Sequence, residues 1–114
     1  MSENPAFGVT VEFVTEEQAV VSVSGDLDLL GATKLHRPLM DALARSSVVL
    51  DMGDCRFCDS SGLRTILEAV RRADSAGNAF RVAAVGTSVV RVFELAGLLT
   101  ELTLYPDVET ALKG

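Results

Sequence analysis

Residues 48–72 read VVLDMGDCRFCDSSGLRTILEAVRR, and two different periodicities meet inside this stretch. Val48-Val49-Leu50 is a short continuous apolar run with β-branched residues, the pattern of a central strand buried on both faces. Asp51 to Asp59 reads as a loop. After Ser60-Ser61-Gly62, the apolar residues Leu63, Ile66, Leu67 and Val70 follow the i, i+3, i+4, i+7 rule of an amphipathic helix. Arg64, Glu68, Arg71 and Arg72 then fall on its outer face, and Gly77 supplies a C-terminal stop. A buried strand feeding such a helix is the start of an α/β unit.

The same alternation extends in both directions. Phe7, Val9, Val11 and Phe13 alternate with small or polar residues, the period of a half-buried strand. Val20, Val21 and Val23 form a second strand-like run after the polar Thr15-Glu16-Glu17-Gln18, so the chain opens on a hairpin. Gly25-Asp26-Leu27-Asp28 breaks that strand. Ala32, Leu35, Leu39, Ala42 and Leu43 then recur at helical spacing up to Arg45. Pro38 within this segment predicts a kink or a later helix start, because proline lacks an N–H and crowds the preceding turn. Downstream, Phe80 to Val85 reads as a buried strand. Thr87 or Ser88 is expected to cap a helix through Val89, Val92, Phe93 and Ala96, ended by Gly97. Leu102 to Tyr105 gives a last strand, and Asp107 caps a short terminal helix. The expected order is β-β-α-β-α-β-α-β-α: one α/β domain over residues 1–114 with a mixed sheet.

Composition narrows the function. The 114 residues are 48% hydrophobic and 23% charged, enough to bury a core and unlike a disordered tail. A net charge of −6 with scattered Lys and Arg argues against a nucleic-acid partner. It gives instead a mild preference for a basic protein surface. No apolar run approaches the roughly 18–20 residues of a membrane span. Met1-Ser2-Glu3-Asn4-Pro5 has neither a basic region nor an apolar run behind it, so a cytoplasmic location is expected.

Local chemistry offers little to an enzyme. Cys55-Arg56-Phe57-Cys58 has thioredoxin-like spacing, but both cysteines precede the helix and Asp59 opposes thiolate formation. Two cysteines and His36 fall short of the four ligands usual for zinc. Reduced, partly buried cysteines are therefore expected. His36 reads as a surface residue, and nucleophile, base and oxyanion donors nowhere come together. The Asp59-Ser60-Ser61 segment has two readings. Asp59 and Ser60 suit helix capping, whereas Ser61 is either a further first-turn residue or a regulatory site. Asp28 is either a loop or capping residue or a partner contact. Gly62 serves either the turn or the close approach of a partner.

Three motifs at matched separations resemble one family. Asp59-Ser60-Ser61-Gly62-Leu63, Gly25-Asp26-Leu27-Asp28 and Val90-Arg91-Val92-Phe93-Glu94-Leu95-Ala96-Gly97-Leu98 are similar to the signature segments of STAS-domain anti-sigma-factor antagonists. The resemblance covers nearly the whole chain; Cys58, in place of the usual apolar residue, and Pro38 depart from it. It implies a non-enzymatic protein, without cofactor or metal, whose phosphoacceptor is Ser61. Its partner would be an anti-sigma factor of the histidine-kinase-like ATPase type, which the unphosphorylated antagonist binds, freeing the sigma factor. A serine phosphatase would reverse the modification. The expected partner surface comprises Asp26, Asp28 and Asp59 with Ser60, Gly62, Leu63 and Arg64, and the free protein is expected to be a monomer without membrane contact. The alternative is a constitutive STAS module of a transport or signalling complex, which would leave Ser61 unmodified.

Overall fold

Two β-branched or apolar runs separated by helical spacing do form parallel neighbours, and the rest of the sheet grows around them. The computed structural model describes residues 6–114, so the reading of Met1–Pro5 lies outside them. Strands β1 (Gly8–Phe13) and β2 (Gln18–Leu27) form the antiparallel hairpin expected from the opening pattern. Helix α1 (Leu29–Arg45) crosses to β3 (Ser47–Cys58), α2 (Ser60–Ala76) to β4 (Phe80–Ala83), and α3 (Thr87–Leu95) to β5 (Leu104–Tyr105); α4 (Val108–Lys113) closes the chain. The sheet order is β1-β2-β3-β4-β5, with every pair after the first parallel.

Side-chain alternation divides the core in two. Val21, Val23, Val48, Leu50, Met52 and Val82 face the larger cluster, where Leu35, Leu39 and Leu43 of α1, Ile66 and Ala69 of α2, and Val89 and Phe93 of α3 cover them. Val20, Val49 and Ala83 face the opposite way, beneath Ala111 of α4 and the half-buried Tyr105, Val108 and Leu112. Gln18 Nε2 donates to the Leu112 carbonyl at 2.8 Å and ties α4 to that face.

Four expectations are corrected. Asp51 to Asp59 is not a loop: β3 continues through Cys58. Its register against β2 slips twice, so that Ser22–Ser24 spans Asp51–Asp54 and Gly25–Asp26 spans Cys55–Phe57. Each slip inserts an extra residue in β3, a β-bulge that destroys period two. Met52, Cys55 and Cys58 are consequently buried at intervals of three, a spacing no strand rule detects. Gly25-Asp26-Leu27 likewise does not end β2, because Gly25 takes φ +95 and the strand continues past the irregularity. Pro38 does not delay α1, which starts at Leu29 and continues through it to Arg45. The carbonyl it leaves without an amide donor belongs to Lys34, an exposed residue. Neither Thr87 nor Ser88 caps α3; Gly86 occupies that place without a side-chain bond. The Gly77 and Asp107 readings hold: Gly77 ends α2 at φ +73, and Asp107 accepts from the Thr110 amide at 2.7 Å.

Candidate functional site

Leu27 and Cys58 are register neighbours, so the chain leaves β2 and β3 side by side at the same edge of the sheet. Each exit is built alike: an aspartate in extended backbone, then a 17-residue helix. Asp28 Oδ1 accepts from Gly31 N at 2.9 Å. Asp59 Oδ1 accepts from Ser61 N at 2.9 Å and Gly62 N at 3.2 Å. A short charged acceptor at N-cap satisfies amides that the helix cannot pair internally, and it complements the helix dipole. The two exits are also stitched together, since Asp59 N donates to the Leu27 carbonyl at 3.2 Å.

Gly62 holds this edge close-packed. A Cβ there would lie 2.7 Å from Leu27 Cγ, 2.7 Å from the Leu27 carbonyl oxygen and 2.8 Å from Cys58 Sγ. The space a side chain needs is filled by the neighbouring strand ends. Gly62 is therefore an internal packing residue, and it is buried, so it offers no surface for the approach of a partner. Leu63 is half-buried: part of it packs onto the main core, and part remains at the surface.

What faces outward is different. Ser60 is exposed and Ser61 half-exposed on the first turn of α2, with Arg64 exposed one turn later. Ser61 spends its amide, not its hydroxyl, on the cap. Ser60 caps nothing; Asp59 alone fills that role. Leu29, Leu30 and Phe57 are 70%, 62% and 50% exposed, an apolar group at the same edge that sequence reasoning missed. Leu29 and Leu30 stand off the Ala32-Leu35-Leu39 stripe, which was the available signal. Phe57 was hidden because the second bulge of β3 removes the parity that would place it outside. Asp26, half-buried, pairs in register with Phe57 and adds negative charge beside this group.

A cleft of about 330 Å³ runs between the helices at Ser61, lined also by Leu29, Thr33, His36, Arg64 and Thr65. His36 separates it from a second cleft toward Arg71 and Arg72. As expected, His36 is exposed, and its Nε2 lies 3.5 Å from Glu68 Oε2.

Cys55 and Cys58 are free and buried. Their thiols point to the carbonyls of Phe57 at 3.3 Å and Asp59 at 3.6 Å. Burial pushes the Cys55 thiol up, and burial first, then the charges of Cys55 and Asp59, pushes Cys58 up to about 12. Such thiols stay protonated and unreactive near neutrality. Among the described residues no group of three or more His, Cys, Asp or Glu is placed to hold a metal, and no helix is long and apolar enough to cross a membrane.

Comparison with known proteins follows this geometry. Residues 12–105 match the family model described as Mlab, STAS domain. The anti-sigma-F factor antagonist RsfB of Mycobacterium tuberculosis is 31% identical over 98 residues, covering 84% of this chain and 80% of that protein. The crystal structure of an anti-sigma factor antagonist from Mycobacterium paratuberculosis superposes with a TM-score of 0.84 at 27% identity, covering 95% of this chain and 92% of that one. The unphosphorylated anti-sigma factor antagonist SpoIIAA shares the fold, with a TM-score of 0.80 at 22% identity over 93% of this chain and 94% of its own. The chain belongs to the STAS domain family and, within it, to the anti-sigma-factor antagonists.

Proposed function

We propose that the chain binds an anti-sigma factor of the histidine-kinase-like ATPase type while Ser61 is free, and releases it when Ser61 is phosphorylated. The observation that carries this reading is the position of Ser61. Ser61 is half-exposed on the first turn of α2 and lines a cleft with the exposed Leu29, while Asp59 performs the structural work a serine there would otherwise do. Apolar side chains at the centre of a contact supply affinity, and the ring of Asp26, Asp28 and Asp59 favours a basic partner surface.

In the transfer the γ-phosphoryl of ATP passes to Ser61 Oγ, the hydroxyl loses its proton, and ADP leaves. The phosphate adds a charge of about −1.5 to −2. Placing that charge in a contact that water leaves on docking is costly, and the neighbouring aspartates raise the cost further. The Asp28 and Asp59 caps need not change, so the switch acts on the surface and leaves the fold in place. A serine phosphatase restores the binding form.

The test pairs capture with transfer. Wild-type protein and a Ser61→Asp variant serve as parallel baits in lysate of the native cell, and the captured ATPase is then incubated with labelled ATP and wild-type or Ser61→Ala protein. The expected outcome is an ATPase on the wild-type bait alone, with label on wild-type protein and none on Ser61→Ala. Equal capture by both baits, or label retained on Ser61→Ala, refutes the switch and favours constitutive docking.

A further inference from the structure

The cleft beside Ser61 is lined by two nitrogen-bearing side chains, Arg64 and His36. Arg64 follows Ser61 at i, i+3, a spacing that sets Cβ atoms about 5–6 Å apart, and both residues line the cleft. His36 enters it from α1 with its Nε2 3.5 Å from Glu68 Oε2, and in the protonated ring its other nitrogen is a donor for a second acceptor.

An anion at a helix start ordinarily takes the unpaired amides. Here most of that place is taken: Asp59 Oδ1 accepts from the amides of Ser61 and Gly62, and the Asp59 carbonyl accepts from Leu63 N at 3.0 Å, which leaves only the Ser60 amide at the first turn. The Asp59 carboxylate also repels a second anion. A phosphate on Ser61 Oγ is therefore turned away from the helix axis and toward the cleft, where the donors are side chains.

We propose that Arg64 and His36 form an intramolecular clamp for a phosphate carried by Ser61. The clamp gives the modification a second effect: besides adding charge, it withdraws the Arg64 guanidinium from any partner. Arginine suits this role because its planar fork meets two phosphate oxygens at once. Arg64 and His36 line the cleft with Ser61; in opposition, Glu68 pairs with His36 and the Asp59 carboxylate caps the same helix, while Arg71 and Arg72 line the second cleft with His36. The inference rests on Ser61 being the acceptor and deepens that reading.

The test installs phosphoserine at position 61 during synthesis and follows its second ionisation by 31P NMR. A nearby cation favours the dianion, so Arg64→Ala is expected to raise the midpoint by about half a unit, and Arg64→Lys by less. His36→Gln is expected to raise it by a smaller amount. A role of Arg64 in folding alone would leave the midpoint where it is. An unchanged midpoint in Arg64→Ala overturns the clamp, and an unchanged midpoint in His36→Gln overturns that residue's part in it. Because the phosphate is built in, this titration reads the clamp independently of any kinase; failure of the antagonist reading appears in the transfer assay instead.

Discussion

Replacing Gly62 with alanine sets two effects of opposite sign against each other. In a helix interior alanine is favoured over glycine by about 1 kcal/mol, and by less in a first turn where few backbone bonds depend on it. Against this stands a methyl group 2.7–2.8 Å from three heavy atoms, one of them the Leu27 backbone oxygen. Leu27 and Cys58 are both buried, so neither can swing aside into solvent. Relief requires α2 to tilt away from the strand ends, which strains the Asp59 cap and the Asp59–Leu27 backbone bond. Overpacking of this kind costs roughly 1–3 kcal/mol, and a weakened cap about 0.5–1 kcal/mol more. The clash prevails, with a net loss of about 1–3 kcal/mol. For a domain of this size that lowers Tm by about 4 °C per kcal/mol. Thermal and urea unfolding followed by circular dichroism measure it. Gly77→Ala is the comparison, because nothing lies within 4 Å and only the φ of +73 opposes it, costing about 1 kcal/mol. A Gly62→Ala protein as stable as wild type would falsify the close-packing argument.

Two further outcomes follow from the same edge. Asp59→Ala leaves the amides of Ser61 and Gly62 without their acceptor and is expected to cost about 1–2 kcal/mol, while Asp59→Asn, which keeps an oxygen in place, stays within about 0.5 kcal/mol in urea unfolding; equal losses in both would assign the effect to charge instead of capping. Cys58, with its thiol pushed up to about 12 from an ordinary 9.0, is expected to resist iodoacetamide at pH 8 in the folded protein and to react readily in urea. Since the folded thiol holds its proton more tightly than the unfolded one, the sign is fixed: the stability from this group is complete below about pH 9 and declines as pH rises toward the folded value. Rapid alkylation of native protein, or stability that increases above pH 9, would contradict the burial of this side chain.

The sequence by itself determined the element order, the hairpin, the amphipathic faces of α1 and α2, and the stop at Gly77, because these follow from local periodicity and backbone preference. It also marked Ser61 and the aspartates, through motifs whose separations survive as spacing along the chain. Only the tertiary structure decided how the edge is assembled. The two bulges of β3 exist in pairing with β2, and no single-strand pattern records them, so Asp51–Asp59 read as a loop and Phe57 went unnoticed. Pro38 read as a kink or a delayed start because its cost in isolation is real; the packing of Leu35 and Leu39 in the core keeps the helix continuous through it. Gly62 and Leu63 carry the same motif letters whether they face a partner or the core. Which of these holds depends on the position of Leu27, 35 residues earlier in the chain, and proximity across such a distance is set by the fold as a whole.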